Sequence, residues 1–201
     1  MENTFCVIDV GTNNVLLLIA SVNDHLNIIK RSSQISALGK DMKDDILNIE
    51  AINRTKLILT NFIETAHEFT ENIIVVGTSC SRDAKNISVL SNWLKDKYQI
   101  NYHIISGNEE AHFNGLANIN EFRNNRNIIL FDAGGGSTEF IWMKNGKIIQ
   151  TQSIDLGIRR LQNLFGSDYQ KKYKEAKKLL NTLPSSPFED SILVGIGGTA
   201  P

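Results

Sequence analysis

The chain has 201 residues and a formal net charge of −1, from 21 basic and 22 acidic side chains. With 41% hydrophobic and 21% charged residues it has the make-up of an ordinary globular protein, long enough for one large domain or two small ones around a buried core. That charge balance excludes a global basic field for nucleic acid or an anionic membrane, so a bound polyanion must be met by local donors.

Cys6 and Cys80 lie far apart without CxxC spacing, which signals neither a zinc site nor a disulfide framework. The first residues lack the apolar run of a signal peptide, and the longest apolar stretch, 15–20, is too short to span a membrane. The sequons at Asn53 and Asn86 are read as chance matches, and the expected location is the cytoplasm.

In chain order, 5–10 is a short apolar strand, followed by a Gly-Thr-Asn-Asn turn and further strands at 15–22 and 26–35, an antiparallel meander. A long helix follows, with Ile49, Ile52, Leu59, Phe62, Ile63, Ala66 and Phe69 on one stripe. Then come a buried strand at 73–78, a helix at 87–98, a strand at 101–105 and a helix at 107–122. The polar run 121–127, rich in Asn and Arg, is the expected boundary between domains 1–122 and 123–201. Beyond it, 128–132, 139–143 and 147–153 form a second meander, with Asn145-Gly146 as its hairpin signal. Helices at 156–165 and 168–183 and a strand at 192–195 complete the chain.

This order contains an internal repeat. Val7-Ile8-Asp9-Val10-Gly11-Thr12 and Leu130-Phe131-Asp132-Ala133-Gly134-Gly135 both read apolar-apolar-Asp-small-Gly-turn and lead into another strand. The expectation is a duplicated α/β unit with a cleft between the copies, Asp9 and Asp132 facing each other across it.

Phosphate binding needs several donors aimed at one oxyanion, and glycine lets the backbone approach closely. Gly134, Gly135, Gly136, Ser137 and Thr138 supply consecutive amides and two hydroxyls, and Gly11, Thr12 and Asn13 are the corresponding turn of the first copy. An Asp closing the preceding strand suits Mg²⁺, which takes oxygen ligands. The alternative is a pair of tight hairpins in which Asp and Gly serve only as turn residues.

Ser106-Gly107-Asn108-Glu109-Glu110-Ala111 opens a helix. Its carboxylates read either as capping and dipole partners or as a general base. They point about 100° apart, so only one can face the cleft while the other caps. Arg82, at a strand-to-helix junction, is either a bidentate phosphate ligand or a surface residue near an N-cap. Cys80 has no adjacent base and reads as a small buried residue. Gly195-Ile196-Gly197-Gly198-Thr199-Ala200 is only a loose match to a dinucleotide loop. The absence of a Walker A lysine and of HExxH removes P-loop NTPases and zinc hydrolases.

Taken together, these segments resemble the exopolyphosphatase / guanosine pentaphosphate phosphatase family of the actin-like superfamily. The resemblance is carried by Ile8 to Asn14, Gly77-Thr78-Ser79, Ile105 to Ala111, Asp132 to Glu139, Leu156-Gly157-Ile158-Arg159-Arg160-Leu161 and Gly195 to Ala200. It implies two duplicated actin-like (ribonuclease H-like) domains, each a mixed sheet with flanking helices and a cleft between them. The second domain is expected to be incomplete at Pro201.

The activity implied is metal-assisted removal of the terminal phosphate from polyphosphate, or of the 5′ phosphate from guanosine pentaphosphate. By position, Glu110 is the general base and Arg82 binds phosphate. Asp9, Asp132 and Glu139 hold Mg²⁺ or another divalent cation, and both loops together with Gly197 and Gly198 cradle phosphate. The partners implied are polyphosphate or guanosine penta- and tetraphosphate, not DNA or a membrane, and a homodimer is compatible with the sequence. Leu16 and His112 stand where the family usually places arginines. They leave open a non-catalytic binder of these polyanions, and the superfamily leaves open an ATP-dependent phosphotransferase.

Overall fold

Thr4, Cys6, Ile8 and Val10 are buried and alternate with more exposed neighbours, so strand β1 (Thr4–Val10) commits one face to a core. The computed structural model describes residues 3–122 and 127–197. β1 pairs antiparallel with β2 (Asn14–Val22), which pairs antiparallel with β3 (Leu26–Ile35). The chain returns through α1 (Ile49–His67) to β4 (Ile73–Gly77), parallel to β1 on its other edge. Next come α2 (Ser79–Asp83), α3 (Ser88–Tyr98) and β5 (Tyr102–Ile104), giving a sheet ordered β3-β2-β1-β4-β5.

After α4 (Gly107–Asn118) the pattern recurs. β6 (Asn127–Ala133), β7 (Thr138–Lys144) and β8 (Lys147–Ile154) form the second antiparallel meander. Its hairpin places Asn145 at φ 49° and Gly146 at φ 69°, the positive pair that an Asn-Gly turn supplies. Helices α5 (Ile158–Phe165) and α6 (Tyr169–Leu180) then lead to β9 (Ile192–Ile196), parallel to β6, in the order β8-β7-β6-β9. Each sheet is thus a meander followed by a helical return to a strand beside its first. The repeat seen in two short turns is a repeat of topology.

Helix α1 starts at Asn48, whose side chain accepts from the Glu50 amide at 2.8 Å. Ile52, Leu59, Phe62, Ile63 and Ala66 are buried as the stripe requires. Ile49, in the first turn, is 59% exposed, and Ala51, Thr55 and Ile58 join the buried face instead. Thr55 can be buried there because its hydroxyl donates to the Ala51 carbonyl at 2.8 Å.

Packing divides the chain into Met1–Ile105 and Ser106–Pro201, upstream of the polar run expected to separate the domains at 122/123. The cause is α4. Ala111 is buried against Ile128, Leu130, Ile141 and Met143 of the second sheet. Gly115 lies so close that a Cβ on it would come within 2.6 Å of Ile148 Cδ1. Among the described residues no helix is long and apolar enough to cross a membrane.

Candidate active site

The second unit gathers carboxylates on one sheet face. Asp132 and Glu139 are directly paired in the β6–β7 register, so both side chains leave the same face. Ile128, Leu130, Ile141 and Met143 share that face, and α4 covers it.

Ser106 caps α4 in a reciprocal box: its hydroxyl accepts from the Glu109 amide at 3.2 Å, while Glu109 Oε2 accepts from the Ser106 amide at 2.8 Å. These bonds hold the Glu109 carboxyl below the usual carboxylate range. Glu110, turned about 100° away, acts on the sheet instead, and its charge is felt by Glu139. One helical turn further, Asn114 Nδ2 donates to Asp132 Oδ2 at 3.2 Å.

Glu139 is only 2% exposed. Ser153, its partner across β8, donates to its Oε1 at 2.8 Å, and the Ser137 hydroxyl also bonds it. Burial, and then the charges of Glu110 and Asp132, push the Glu139 carboxyl up to about 7. Burial also raises Asp132, partly opposed by Asn114. Gly197 sits at φ +85° with its Cα against this carboxylate, and a Cβ there would run into Asp132 Oδ1.

In the loop between β6 and β7 the Gly134 amide closes the turn on Ser137 O at 2.9 Å, and the Thr138 hydroxyl donates to Leu156 O. Those two expected phosphate donors therefore serve the frame of the loop. The amides of Gly135 and Gly136 have no acceptor among the described residues.

The first unit holds the corresponding turn. The Gly11 amide donates to Asn14 O at 2.9 Å, matching Gly134 and Ser137. Thr12 and Asn13 lie within this turn, with Thr12 buried. Asp9 is half-buried and pairs in register with Leu16, which is 44% exposed. Arg82 lies in α2, and its Nη1 donates to Ile105 O at 3.0 Å. Cys80 is buried, and burial pushes its thiol up to about 11, which leaves no thiolate nucleophile at neutral pH. His112 is exposed on α4, its ring tilted against Phe113. Gly198 lies outside the described residues.

Asn114 escaped the sequence reading. Its only signal is a four-residue spacing from Glu110, which places both on one helix face. Gly157 and Arg160 belonged to a recognised motif without a role, and both lie against the Gly134–Ser137 loop.

Among the described residues, no three His, Cys, Asp or Glu side chains converge tightly enough to enclose a metal by themselves. Asp132 and Glu139 nevertheless present all-oxygen donors from one covered sheet face, the donor type of a hard cation that keeps most of its waters.

The raised Glu139 carboxyl has a measurable consequence. A carboxyl raised from 4.5 to about 7 binds more protons in the folded than in the unfolded chain across that window. Folding stability should therefore fall as pH rises from about 4.5 to about 7. In EDTA, the melting temperature is expected to drop over that range, and Glu139→Gln to flatten the drop. A parent and variant with parallel profiles would refute the assignment.

A model of the Ppx/GppA phosphatase family matches residues 17–200. The chain is 32% identical to a bifunctional 3-dehydroquinate synthase/phosphatase of Fusobacterium nucleatum, over 96% of this chain and 32% of that protein. It is 32% identical to a guanosine-5'-triphosphate,3'-diphosphate pyrophosphatase of Pseudoalteromonas translucida, over 78% of this chain and 32% of that one. Identity to exopolyphosphatase 2 of Mycobacterium tuberculosis is 31%, over 77% and 52% of the respective chains. The chain thus spans between about a third and a half of these relatives' length.

Among solved structures, an exopolyphosphatase from Cytophaga hutchinsonii superposes with a TM-score of 0.80 at 27% identity, over 98% of this chain and 67% of that one. The Ppx-GppA enzyme of Aquifex aeolicus gives 0.76 at 27% identity, over 98% and 68%. The two mixed α/β sheets are those of this actin-like fold, and the chain belongs to the Ppx/GppA phosphatase family.

Proposed function

We propose that the protein is a phosphoanhydride hydrolase that releases the terminal phosphate of polyphosphate or the 5′ phosphate of guanosine pentaphosphate. The observation that carries this reading is the convergence of Glu110 with buried Glu139 and Asp132, on the unit whose loop offers two acceptor-free amides. Relatives named as exopolyphosphatase and as guanosine pyrophosphatase support it.

Phosphoryl transfer asks a protein mainly for positioning and for stabilisation of spread charge. In this reading Glu110 takes a proton from a water that attacks the terminal phosphorus in line, as the bridging P–O bond breaks and its oxygen leaves with the shortened chain. The Gly135 and Gly136 amides take charge on the transferred group, with Ser137 and Gly197 completing that wall. Asp132 and Glu139 would hold a magnesium ion that neutralises phosphate oxygens when bound. Arg82 and the Gly11–Asn13 turn are further phosphate donors in this reading. The setting assigned is the cytoplasm.

The test is phosphate release from polyphosphate and from guanosine pentaphosphate, each with magnesium and with EDTA. Release from at least one, abolished by EDTA, is expected. Tight binding of both substrates without release would overturn the reading in favour of a non-catalytic binder.

A further inference from the structure

The three glycines of the second phosphate loop have their carbonyls engaged by a single element. Gly134 O accepts from the Ile158 amide at 3.2 Å. Gly135 O accepts from the Arg159 amide at 2.7 Å and the Arg160 amide at 3.0 Å. Gly136 O accepts from Arg160 Nε at 2.7 Å. These donors are the first N–H groups of α5, which have no partner inside their own helix, together with one guanidinium.

A trans peptide points its C=O and N–H in opposite directions. Turning the carbonyls of Gly134, Gly135 and Gly136 toward α5 therefore turns the amides of Gly135, Gly136 and Ser137 away from it. The acceptor-free amides are a consequence of this grip.

The first unit repeats the backbone part of this device. There the segment after β3 holds the turn, with the Ala37 amide donating to Asn13 O at 2.8 Å and the Gly39 amide to Thr12 O at 2.9 Å. Leu38-Gly39 and Leu156-Gly157 are thus corresponding steps of the two copies. In the second, a charged side chain joins the grip. Arg160 is 25% exposed, and its Nη2 lies 3.3 Å from Asp155 Oδ1, which fixes the plane of the guanidinium.

We infer that Arg160 is a positioning residue: with the first turn of α5 it clamps the Gly134–Gly136 carbonyls and so aims the loop amides at the phosphate. The inference rests on the hydrolase reading above, but its readouts separate the two. Hydrogen exchange at the amides of Gly134, Ile158 and Arg159 reports the clamp directly, and phosphate release reports its use.

In Arg160→Met, losing one charge-assisted bond should speed exchange at those amides about tenfold, with β6 and β7 unchanged. The loosened geometry should lower kcat about tenfold with KM within about threefold of the parent. Arg160→Lys keeps a charged donor and is expected to recover most of both. Asp155→Asn, which acts on the loop through its ion pair with Arg160, should raise exchange by about threefold and serves if the Met variant does not fold. Exchange and kcat within twofold of the parent in Arg160→Met, or exchange within twofold of it in Asp155→Asn where the Met variant does not fold, would overturn the clamp. Faster exchange in a protein whose parent releases no phosphate would instead uphold the clamp and refute the hydrolase.

Discussion

Glu110→Gln should lower phosphate release by between about 10² and 10⁴-fold, the range supplied by a general base, while leaving polyphosphate binding measurable. The change keeps the size and shape of the side chain and removes its charge and its ability to take a proton. Helix α4 should be unaffected, because its capping carboxylate is Glu109, bonded to Ser106 at 2.8 Å. Removing the Glu110 charge also relieves its buried neighbour, so the Glu139 carboxyl should titrate lower in the variant. Glu109→Gln makes the matched control: its amide oxygen can still accept from Ser106, and turnover should stay within about threefold of the parent, a cap being worth roughly 1 kcal/mol at most here. Equal turnover in Glu110→Gln and parent, measured as phosphate released per second at saturating substrate, would remove Glu110 from the mechanism.

The division of labour between Glu109 and Glu110 was legible because adjacent helical residues point about 100° apart. The meanders were legible for a similar reason, since alternation and Asn145-Gly146 state strand period and turn type outright. The allegiance of α4 was not. It docks on the second sheet through Ala111 and Gly115, small residues that carry almost no hydrophobic signal yet permit close approach. Helix α2, at five residues, is too short to show a period. Asn114 was invisible because its partner, Asp132, lies 18 residues away and no local pattern joins them.

The two copies also differ in a way the matching turns conceal. Asp9 shares its sheet face with Phe5 and Leu16, which are 39% and 44% exposed, so that face of the first sheet is open. Asp132 lies on a face covered by α4 and close to Asn114, Glu139 and the charge of Glu110. The same Asp-small-Gly turn therefore acquires a carboxylate cluster in one copy and not in the other. What makes the second loop chemically richer is the helix delivered to it, not the loop sequence.

Gly157→Ala should be more damaging than any change to Arg160, with an activity loss of about 100-fold, the penalty of a displacement near 1 Å in a reacting geometry. Gly157 has φ −141°, an extended conformation open to any residue, so backbone strain is not the issue. The obstacle is steric. A Cβ would meet the backbone of Gly136 and lie 2.5 Å from the Gly135 oxygen. Neither atom can rotate aside as a side chain would, and the carbonyls on both are already bonded to α5. The loop must move away from the helix, which breaks the bonds that orient its amides, and overpacking of this kind costs about 1–3 kcal/mol. In a chain of this size that lowers the melting temperature by roughly 2–4 °C per kcal/mol.

Gly115→Ala separates this mechanism from glycine replacement in general. Its new methyl would meet Ile148 Cδ1 at 2.6 Å and Ile148 Cγ1 and Ile141 Cγ2 at 3.1 Å, side-chain atoms that can shift where backbone cannot. The helical propensity gained, about 1 kcal/mol, offsets that repacking. Melting curves and phosphate release should therefore leave Gly115→Ala close to the parent and Gly157→Ala far below it. If both variants behave alike, the close seat of Gly157 against the loop does not control the site.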